Sequence, residues 1–354
     1  MSNVYSASRL DWVFAQAQGA GLLRTIPNSS GTWTPTGSIL TRHIACSLTQ
    51  NNPVLEPPYK TGTQDSIAGI RGPQSGSFTF EAPLIPNGTA GTVPDLDPIL
   101  QSFFGQAAAI VASTSATYSF VNPMAYLPFA LFRFNKNGSA NATHQYAGGC
   151  IPTRLVLNFG GPYSTMTADG KCVYVGLSDQ FTGYTGNYAT AAFGLTAYPV
   201  CPSSGAPLTV NGSAITGRTG TGTFDGNVMA ELRGSLSITL NTGFDLAEDL
   251  TFDQFPNYPI GGRHTVSIGT LRFVDSDGVT LANLKTKAAT KSPINISIAV
   301  NNVAGSTVTA TLKNVTLAPA QIVENGAYFD LNLGESLAHA TTYNVVDSFS
   351  LAFT

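Results

Sequence analysis

Asp95 and Asp97 are two carboxylates two residues apart, a residue type and spacing that could support general acid and base catalysis. The residues around them favour an architectural role. Pro98 directly follows Asp97 and Gly105 closes the segment, which is the order of an N-cap aspartate, a first-turn proline and a terminating glycine. We therefore predict a short helix over residues 97–104, with Asp97 as its N-cap and Asp95 in the preceding turn. Four apolar residues fall on one face of that helix, where they can cover a sheet: Ile99, Leu100, Phe103 and Phe104.

No other group of residues has the spacing of a catalytic, cofactor or metal site. The acidic run 244–253 does not follow the ligand order of a calcium loop. Ser75 misses the nucleophile elbow by one position, and the glycine-rich runs 168–172 and 220–226 lack the strand, loop and helix of a phosphate site. The histidines are too far apart to predict a metal site: His43, His144, His264 and His339. The cysteines form no close pair and are expected to be free and buried: Cys46, Cys150, Cys172 and Cys201. We predict that the protein is not an enzyme and binds no cofactor or metal.

Charged residues make up 10% of the 354 residues, well below the roughly 25% of ordinary soluble chains, and the net charge is -3. Ser, Thr and Asn must therefore form most of the polar surface, which favours packing against other copies of the chain. The 17 basic residues do not cluster beyond Lys285, Lys287 and Lys291, which argues against affinity for nucleic acid. No apolar run is long enough for a membrane span and the N-terminus does not read as a signal peptide, so we expect assembly inside a cell.

Alternation of apolar and polar residues predicts an all-β chain with one or two short helices. A second helix is predicted over residues 279–289. Small polar residues fill the second face of the strands, so the sheets should pack on one side and meet water or another subunit on the other. The clearest predicted strands are residues 39–48, 77–81, 154–159, 171–175, 235–240, 264–268, 295–300 and 307–312.

Self-similarity along the sequence predicts an internal repeat that relates the two halves of the chain. A shift of 192 residues lays Leu48 on Leu240, and a shift of 193 carries residues 76–80 onto 269–273. In both halves a strand, a long loop, Gly-x-Arg, a second strand and a helix follow in that order. The repeat predicts a first β module (38–202) and a second β module (231–354). The irregular composition of the remaining segments predicts an N-terminal arm (1–37) and a Gly- and Thr-rich linker or loop (203–230).

This order of elements resembles the major tail tube proteins of long-tailed bacteriophages. The resemblance rests on GIRGPQSGSFTFEAPL, PDLDPILQSFFG, ELRGSLSITLNTGFD and GGRHTVSIGTLRFV, and it extends from about residue 38 to the C-terminus. It implies a β-sandwich with a flanking helix, whose sheets join across subunits into a ring-shaped barrel. Stacked rings would form the channel for double-stranded DNA, which passes without specific binding, while the long loops 51–66 and 243–259 would reach the adjacent ring.

The resemblance also implies the assembly partners. A single tube module needs only about half of this chain, so a duplicated chain would form rings as a homotrimer with pseudo-sixfold symmetry, whereas one enlarged module would form homohexamers. A tape measure protein and tail terminator or tip proteins would be the other partners. The protein would be located in the virion tail, after assembly in the host cytoplasm.

Two other classes stay open on the sequence alone. One is another virion protein, such as a capsid or decoration subunit. The other is a carbohydrate-binding or adhesin-like β-sandwich, whose sugar platform would be built from aromatic side chains. The candidates for that platform are scattered along the chain, and scattered aromatic residues more often belong to a core: Trp12, Trp33, Tyr126, Tyr184 and Tyr188.

Overall fold

The structure is a computed structural model. It describes residues 11–18, 39–51, 54–55, 70–71, 75–135, 143–159, 164–177, 208–210, 213–215, 221–224, 227–229, 236–247, 258–273, 279–300, 305, 307–318, 321–325, 328–343 and 345–354.

The described part of the chain is all-β with two short helices, as predicted. The helices are α1 (Asp97–Phe104) and α2 (Val279–Thr290). Neither of these helices is long and apolar enough to cross a bilayer. The strands are β1 (Asp11–Ala17), β2 (Ile39–Thr41), β3 (Ala45–Asn51), β4 (Val54–Leu55), β5 (Ile70–Arg71), β6 (Ser75–Pro83), β7 (Ala109–Val111), β8 (Ser115–Ser119), β9 (Phe129–Asn135), β10 (Thr143–Phe159), β11 (Thr165–Cys172), β12 (Tyr174–Leu177), β13 (Leu208–Val210), β14 (Ser213–Ile215), β15 (Thr221–Phe224), β16 (Asn227–Met229), β17 (Leu236–Asn241), β18 (Asp245–Ala247), β19 (Tyr258–Ile260), β20 (Thr265–Phe273), β21 (Ile294–Val300), β22 (Val308–Val315), β23 (Gln321–Asn325), β24 (Tyr328–Ala338) and β25 (Phe349–Phe353).

A run of eight antiparallel strands crosses the molecule in the order β3-β6-β11-β10-β17-β20-β24-β23. It consists of two groups of four. The first group is β3, β6, β10 and β11, and the second group is β17, β20, β23 and β24. Each group places its strands in the order first, second, fourth, third. The third strand of the first group, β10, pairs with the first strand of the second group, β17, and this pair joins the groups.

The outer sheets of the two groups also correspond to each other. After Cys150 the strand β10 changes partners, and its earlier residues lie in a sheet of order β2-β1-β9-β10-β12. The second group has the corresponding order β16-β15-β21-β22-β25. In each group a two-stranded hairpin follows the first strand along the chain and precedes the second. It is β4–β5 in the first group and β18–β19 in the second. The hairpin β7–β8, which follows α1, adds to the edge of β25 and so places a segment from the first half of the chain in the outer sheet of the second group.

Two segments that were expected to be arms or loops contain paired strands. β1 lies in the predicted N-terminal arm and pairs with β9 from Asp11 to Ala17. β15 and β16 lie in the predicted linker, where β15 pairs with β21. Val13, Phe14 and Ala15 are all buried, so β1 lacks the polar face that makes a strand visible in a sequence. The short strands β15 and β16 have too few residues for a period to be recognised.

Tertiary contacts also change two predicted strand bounds. The predicted strand 39–48 is divided into β2 and β3, because the backbone N–H of Arg42 turns to the Asp95 carboxylate at 3.1 Å. The predicted strand 171–175 is interrupted at Val173, whose N–H donates to the Gly148 carbonyl at 3.1 Å. In both places a bond to a distant residue, rather than the local alternation, ends the strand.

The register of the strands corrects part of the predicted repeat. Leu48 pairs with Phe78 and Leu240 pairs with Val266, so the second strands of the two groups correspond at a shift of 188 residues and not 193. Short strands that alternate apolar and polar residues match each other at several shifts. A register irregularity between Ile268 and Thr270 also displaces the later residues of β20.

Helix α1 occupies the predicted residues and is buried between the layers. Gly105 ends it in a left-handed conformation, with φ 70°, and donates its N–H to the Gln101 carbonyl at 2.9 Å. The predicted apolar face is fully buried, with Ile99, Leu100, Phe103 and Phe104 all at 0% exposure. The N-cap prediction for Asp97 is wrong, since Leu96 is the N-cap and Asp97 is the first helical residue. Its carboxylate accepts hydrogen bonds from other side chains and makes no cap bond.

Candidate assembly surface

From β3 to the start of β20, the exposed face of the run is made mostly of small polar side chains. Each strand alternates between this face and the core, so that Ser47 and Thr49 point outwards while Cys46 and Leu48 are buried. The same alternation continues through the middle of the run. The outward residues include Ser77, Thr79, Thr165, Thr167, Asn158, Ser237, Thr239, Asn241, Thr265 and Ser267. The result is a broad surface of hydroxyl and amide groups, which we call the polar face.

The polar face carries little net charge. From β3 to the start of β20, among the residues whose side chains are described, it holds two acids and two bases: Glu81, Asp169, Arg154 and Lys171. Arg154 Nη1 lies 3.7 Å from Asp169 Oδ2, and the Thr79 hydroxyl donates to Asp169 Oδ1 at 3.0 Å. Lys171 forms an ion pair with Asp245 of β18, and that lysine holds the pKa of the Asp245 carboxyl below its usual value. These contacts partly compensate the charges locally, so the face offers no basic stripe to a polyanion.

Strand β3 is one edge of the run. Among the described strands it pairs with β6 alone. Its seven residues, ACSLTQN, contain no charge and no proline, which are two of the usual means of protecting an exposed edge from other strands. An uncharged edge of this length is suited to accept another strand.

The opposite edge is formed by β23, which pairs with β24. The pairing begins before β23, because Thr316 and Leu337 exchange both backbone hydrogen bonds, at 3.0 and 3.3 Å. Thr316 to Leu337 and Gln321 to Asn332 follow the same antiparallel register. The second edge therefore begins at Thr316, before β23, and Glu324 is the charged residue of β23.

The pair β10–β17 shows how two groups join inside one chain. Six residue pairs connect the strands, from Arg154 opposite Asn241 to Phe159 opposite Leu236. The N–H of Thr242 extends the contact by donating to the Thr153 carbonyl at 3.0 Å. Leu155 and Leu240 lie opposite each other with both side chains at 0% exposure. The apolar layer is continuous across this joint.

Asp95 and Asp97 are separated by their partners and form no catalytic pair. Arg42 holds Asp95 through its backbone N–H at 3.1 Å and through its guanidinium Nε, also 3.1 Å from Oδ2. Asp97 accepts hydrogen bonds from the Tyr118 hydroxyl and from Gln101 Nε2, both at 2.6 Å. Burial raises the pKa of both carboxyls, against the opposing effect of these partners. Asp97 thus ties helix α1 to strand β8, and β8 in turn pairs with β25.

Two of the histidines come together in a cleft that their sequence positions did not predict. His264 and His339 line a cavity of about 370 Å³ with Asn122, Arg263 and Ser348. The His264 ring stacks on Phe120 with centroids 4.5 Å apart, and burial lowers the pKa of this histidine. Its Nδ1 is buried and has no hydrogen-bond partner among the described residues. Within the described part of the chain, no three metal-binding side chains gather here or elsewhere.

The other sequence candidates lie in the core or outside the described residues. Cys46, Cys150 and Cys172 are buried, as predicted, and the last two are free thiols, whereas Cys201 lies outside the described residues. Burial raises the pKa of the Cys150 thiol. Of the five aromatic residues of a possible sugar platform, Tyr126 alone has a described side chain, and its ring packs against Phe244 at 5.0 Å.

The feature that sequence analysis missed is the pair of edges, β3 and β23, each of which pairs with one neighbour among the described strands. The signal was present in the uncharged run ACSLTQN, but an edge strand and a central strand have the same alternation. Comparison of the sequence with protein-family models finds no match, and comparison with curated proteins finds none either.

Proposed function

We propose that the protein is the major tail tube subunit of a long-tailed bacteriophage. Copies of the chain would assemble into rings, and the rings would stack into the channel through which double-stranded DNA enters the host. The observation that carries the proposal is the eight-stranded run, in which two groups of the same strand order stand side by side between two edge strands, β3 and β23. A sheet with that organisation can be continued by further copies.

Closing the sheet into a ring accounts for the edges. An exposed, uncharged edge templates aggregation, and a closed barrel removes it because every strand then has two neighbours. A heterologous contact that uses two different edges closes into a ring when the rotation per copy divides a full turn. Since one chain supplies two four-stranded groups, three chains would supply six, and we propose the homotrimer rather than the homohexamer.

The polar face supports the role of a channel wall. Protein affinity for DNA comes largely from lysine and arginine contacts to phosphates, and each such contact would retain the DNA. The described part of the face carries no net charge and is covered by Ser, Thr and Asn. In the proposed tube this face lines the channel. The hairpins β4–β5 and β18–β19, which connect the first and second strands of their groups, would form the contacts to the next ring. The tape measure and tail terminator proteins are the further partners in this proposal.

Negative-stain electron microscopy and native mass spectrometry of the purified full-length chain test the proposal together. We expect rings of three chains with a central hole, or tubes of such rings. Rings of six chains would retain the function and reject the trimer. A protein that stays monomeric at all concentrations and binds glycans would contradict the proposal and favour a carbohydrate-binding β-sandwich.

A further inference from the structure

We infer that the second edge, at residues 316–318 just before β23, pairs with strand β3 of a second copy of this chain, in one register, with Leu317 opposite Leu48. The inference rests on the proposed function and names the contact that the ring requires. The pair β10–β17 within the chain is the template, since it joins the third strand of one group to the first strand of another.

The first strands of the two groups hold equivalent positions. Leu48 of β3 pairs with Phe78, and Leu240 of β17 pairs with Val266. All four side chains point into the core, with exposures of 8% or less. In each case the first strand is the neighbour of the second strand of its own group. Leu48 therefore corresponds to Leu240.

The third strands correspond in the same way. In the first group Leu155 lies opposite Ala168, which lies opposite Phe80. In the second group Ser336 lies opposite Ile268, the residue that corresponds to Phe80. The bridge from Thr316 to Leu337 places Leu317 opposite Ser336. Leu317 therefore corresponds to Leu155.

Backbone direction at the edge agrees with this correspondence. Thr316 directs its N–H and C=O to Leu337, so the alternation of an antiparallel strand turns those of Leu317 to the open side. At the internal joint, the bond from Thr242 N–H to the Thr153 carbonyl fixes the same alternation. It makes Leu155 and Leu240 a hydrogen-bonded pair. Leu317 thus presents to the edge the groups that Leu155 presents to β17.

Transferring the internal register predicts the contacts between copies. Leu155 opposite Leu240 becomes Leu317 opposite Leu48, and both leucines already face the core, at 3% and 8% exposure. Arg154 opposite Asn241 becomes Thr316 opposite Thr49. The joint then brings together uncharged side chains, and it continues both the apolar layer and the polar face.

Disulfide trapping in the full-length chain tests the register. Thr49→Cys combined with Thr316→Cys places two cysteines at a non-hydrogen-bonded pair, where Cα atoms are about 4.5 Å apart and a disulfide fits. We expect a ladder of covalent oligomers after mild oxidation with copper phenanthroline, and its loss after reduction. Asn241→Cys with Arg154→Cys is the matched control, because the same geometry there should give a cross-link within one chain and no ladder.

Two further variants separate this register from the alternatives. Ser47→Cys with Thr316→Cys is shifted by two residues, to a distance of about 7–8 Å that a disulfide does not span, so the ladder should be lost. A ladder from this pair at the expense of the first would overturn the register. Thr49→Cys alone should give no covalent dimer, and a strong dimer would show instead that two β3 edges meet each other.

Hydrogen exchange of the unmodified chain gives an independent readout. Segments that contain residues 47–49 and 316–318 should gain protection when dissociated chains assemble, whereas central strands such as β11 should change little. Rings that form without cross-linking and without this protection would overturn the inference and leave the proposed function standing. Failure to form any oligomer, by microscopy and by cross-linking, would overturn both.

Discussion

The buried hydrogen bond between Tyr118 and Asp97 shows how a single residue can exchange a local role for a tertiary one. Asp97 stands where a helix cap is expected, but its carboxylate binds a hydroxyl from strand β8 and the Gln101 amide. The residue is 7% exposed and Tyr118 is 0% exposed. Burial and the neighbouring carboxylate raise the pKa of Tyr118, so its hydroxyl stays protonated and acts as the donor. The pair joins the helix to the sheet.

Asp97→Ala should lower the free energy of unfolding by about 1–3 kcal/mol, because it leaves the buried Tyr118 hydroxyl without its partner. Chemical denaturation of the dissociated chain measures this. Tyr118→Phe in the Asp97→Ala background should recover part of the loss, since it removes the unpaired hydroxyl. Fully additive effects of the two substitutions would contradict this account.

The raised pKa of the Asp97 carboxyl predicts a pH dependence of stability. A folded-state pKa above the unfolded value means that the folded protein binds the proton more readily, so protonation stabilises the fold. Relative to Asp97→Asn, which cannot titrate, the wild type should gain stability as pH falls through the folded pKa towards 3.8, and lose that gain as pH rises. Denaturation at a series of mildly acidic pH values tests the sign; a gain on raising the pH would contradict it.

At the scale of elements, the stability of helix α1 depends on the glycine that ends it as well as on its buried apolar face. Gly105 has φ 70°, and a Cβ at this position would lie 2.9 Å from the Ala125 carbonyl oxygen and 3.1 Å from Met124. The helix must stop there so that the chain can turn into the hairpin β7–β8, which supplies the outer-layer contact with β25.

Gly105→Ala should destabilise the chain by about 1–2 kcal/mol, the cost of a left-handed residue with a Cβ, with steric overlap adding to it. Ala107→Gly, at an exposed position outside the helix, is the matched control and should change little. Thermal or chemical unfolding measures both variants. Equal stability of Gly105→Ala and wild type would show that the turn relaxes at no cost.

At the scale of the whole molecule, the two edges are the places where the sheet can be extended, and the polar face is one side of that sheet. In the proposed tube the run of strands continues sideways through its edges. Strand β18 contacts the polar face at Lys171, through Asp245. In the proposed tube this arrangement places Thr167 and Thr239, the two partners of Val156, near the middle of the channel wall.

The double variant Thr167→Lys with Thr239→Lys should form tubes that retain short double-stranded DNA at low salt. The retention should fall as salt rises, because each phosphate contact releases counterions. Wild-type tubes and the matched variant Thr167→Gln with Thr239→Gln should not retain DNA. Filter binding at several salt concentrations measures the difference. If tubes of the double lysine variant form normally but do not bind DNA at any salt concentration, this face does not line the channel.

Local features of the sequence determined a good part of this protein. Alternation at period two identified the all-β class, and the order of Pro98, four apolar residues and Gly105 determined helix α1, because its signals all lie within a few residues. The low charge and the Ser, Thr and Asn content determined the character of the polar face.

The tertiary structure alone decided which strands are neighbours and which are edges. Alternation is the same in β3, an edge, and in β11, a central strand, so it identifies strands without their partners. The partner of Asp97 is 21 residues away, and β10 meets β17 across a long stretch of chain. The reason is physical: a backbone hydrogen-bonding group has the same chemistry in every strand, and packing of the whole chain selects its partner.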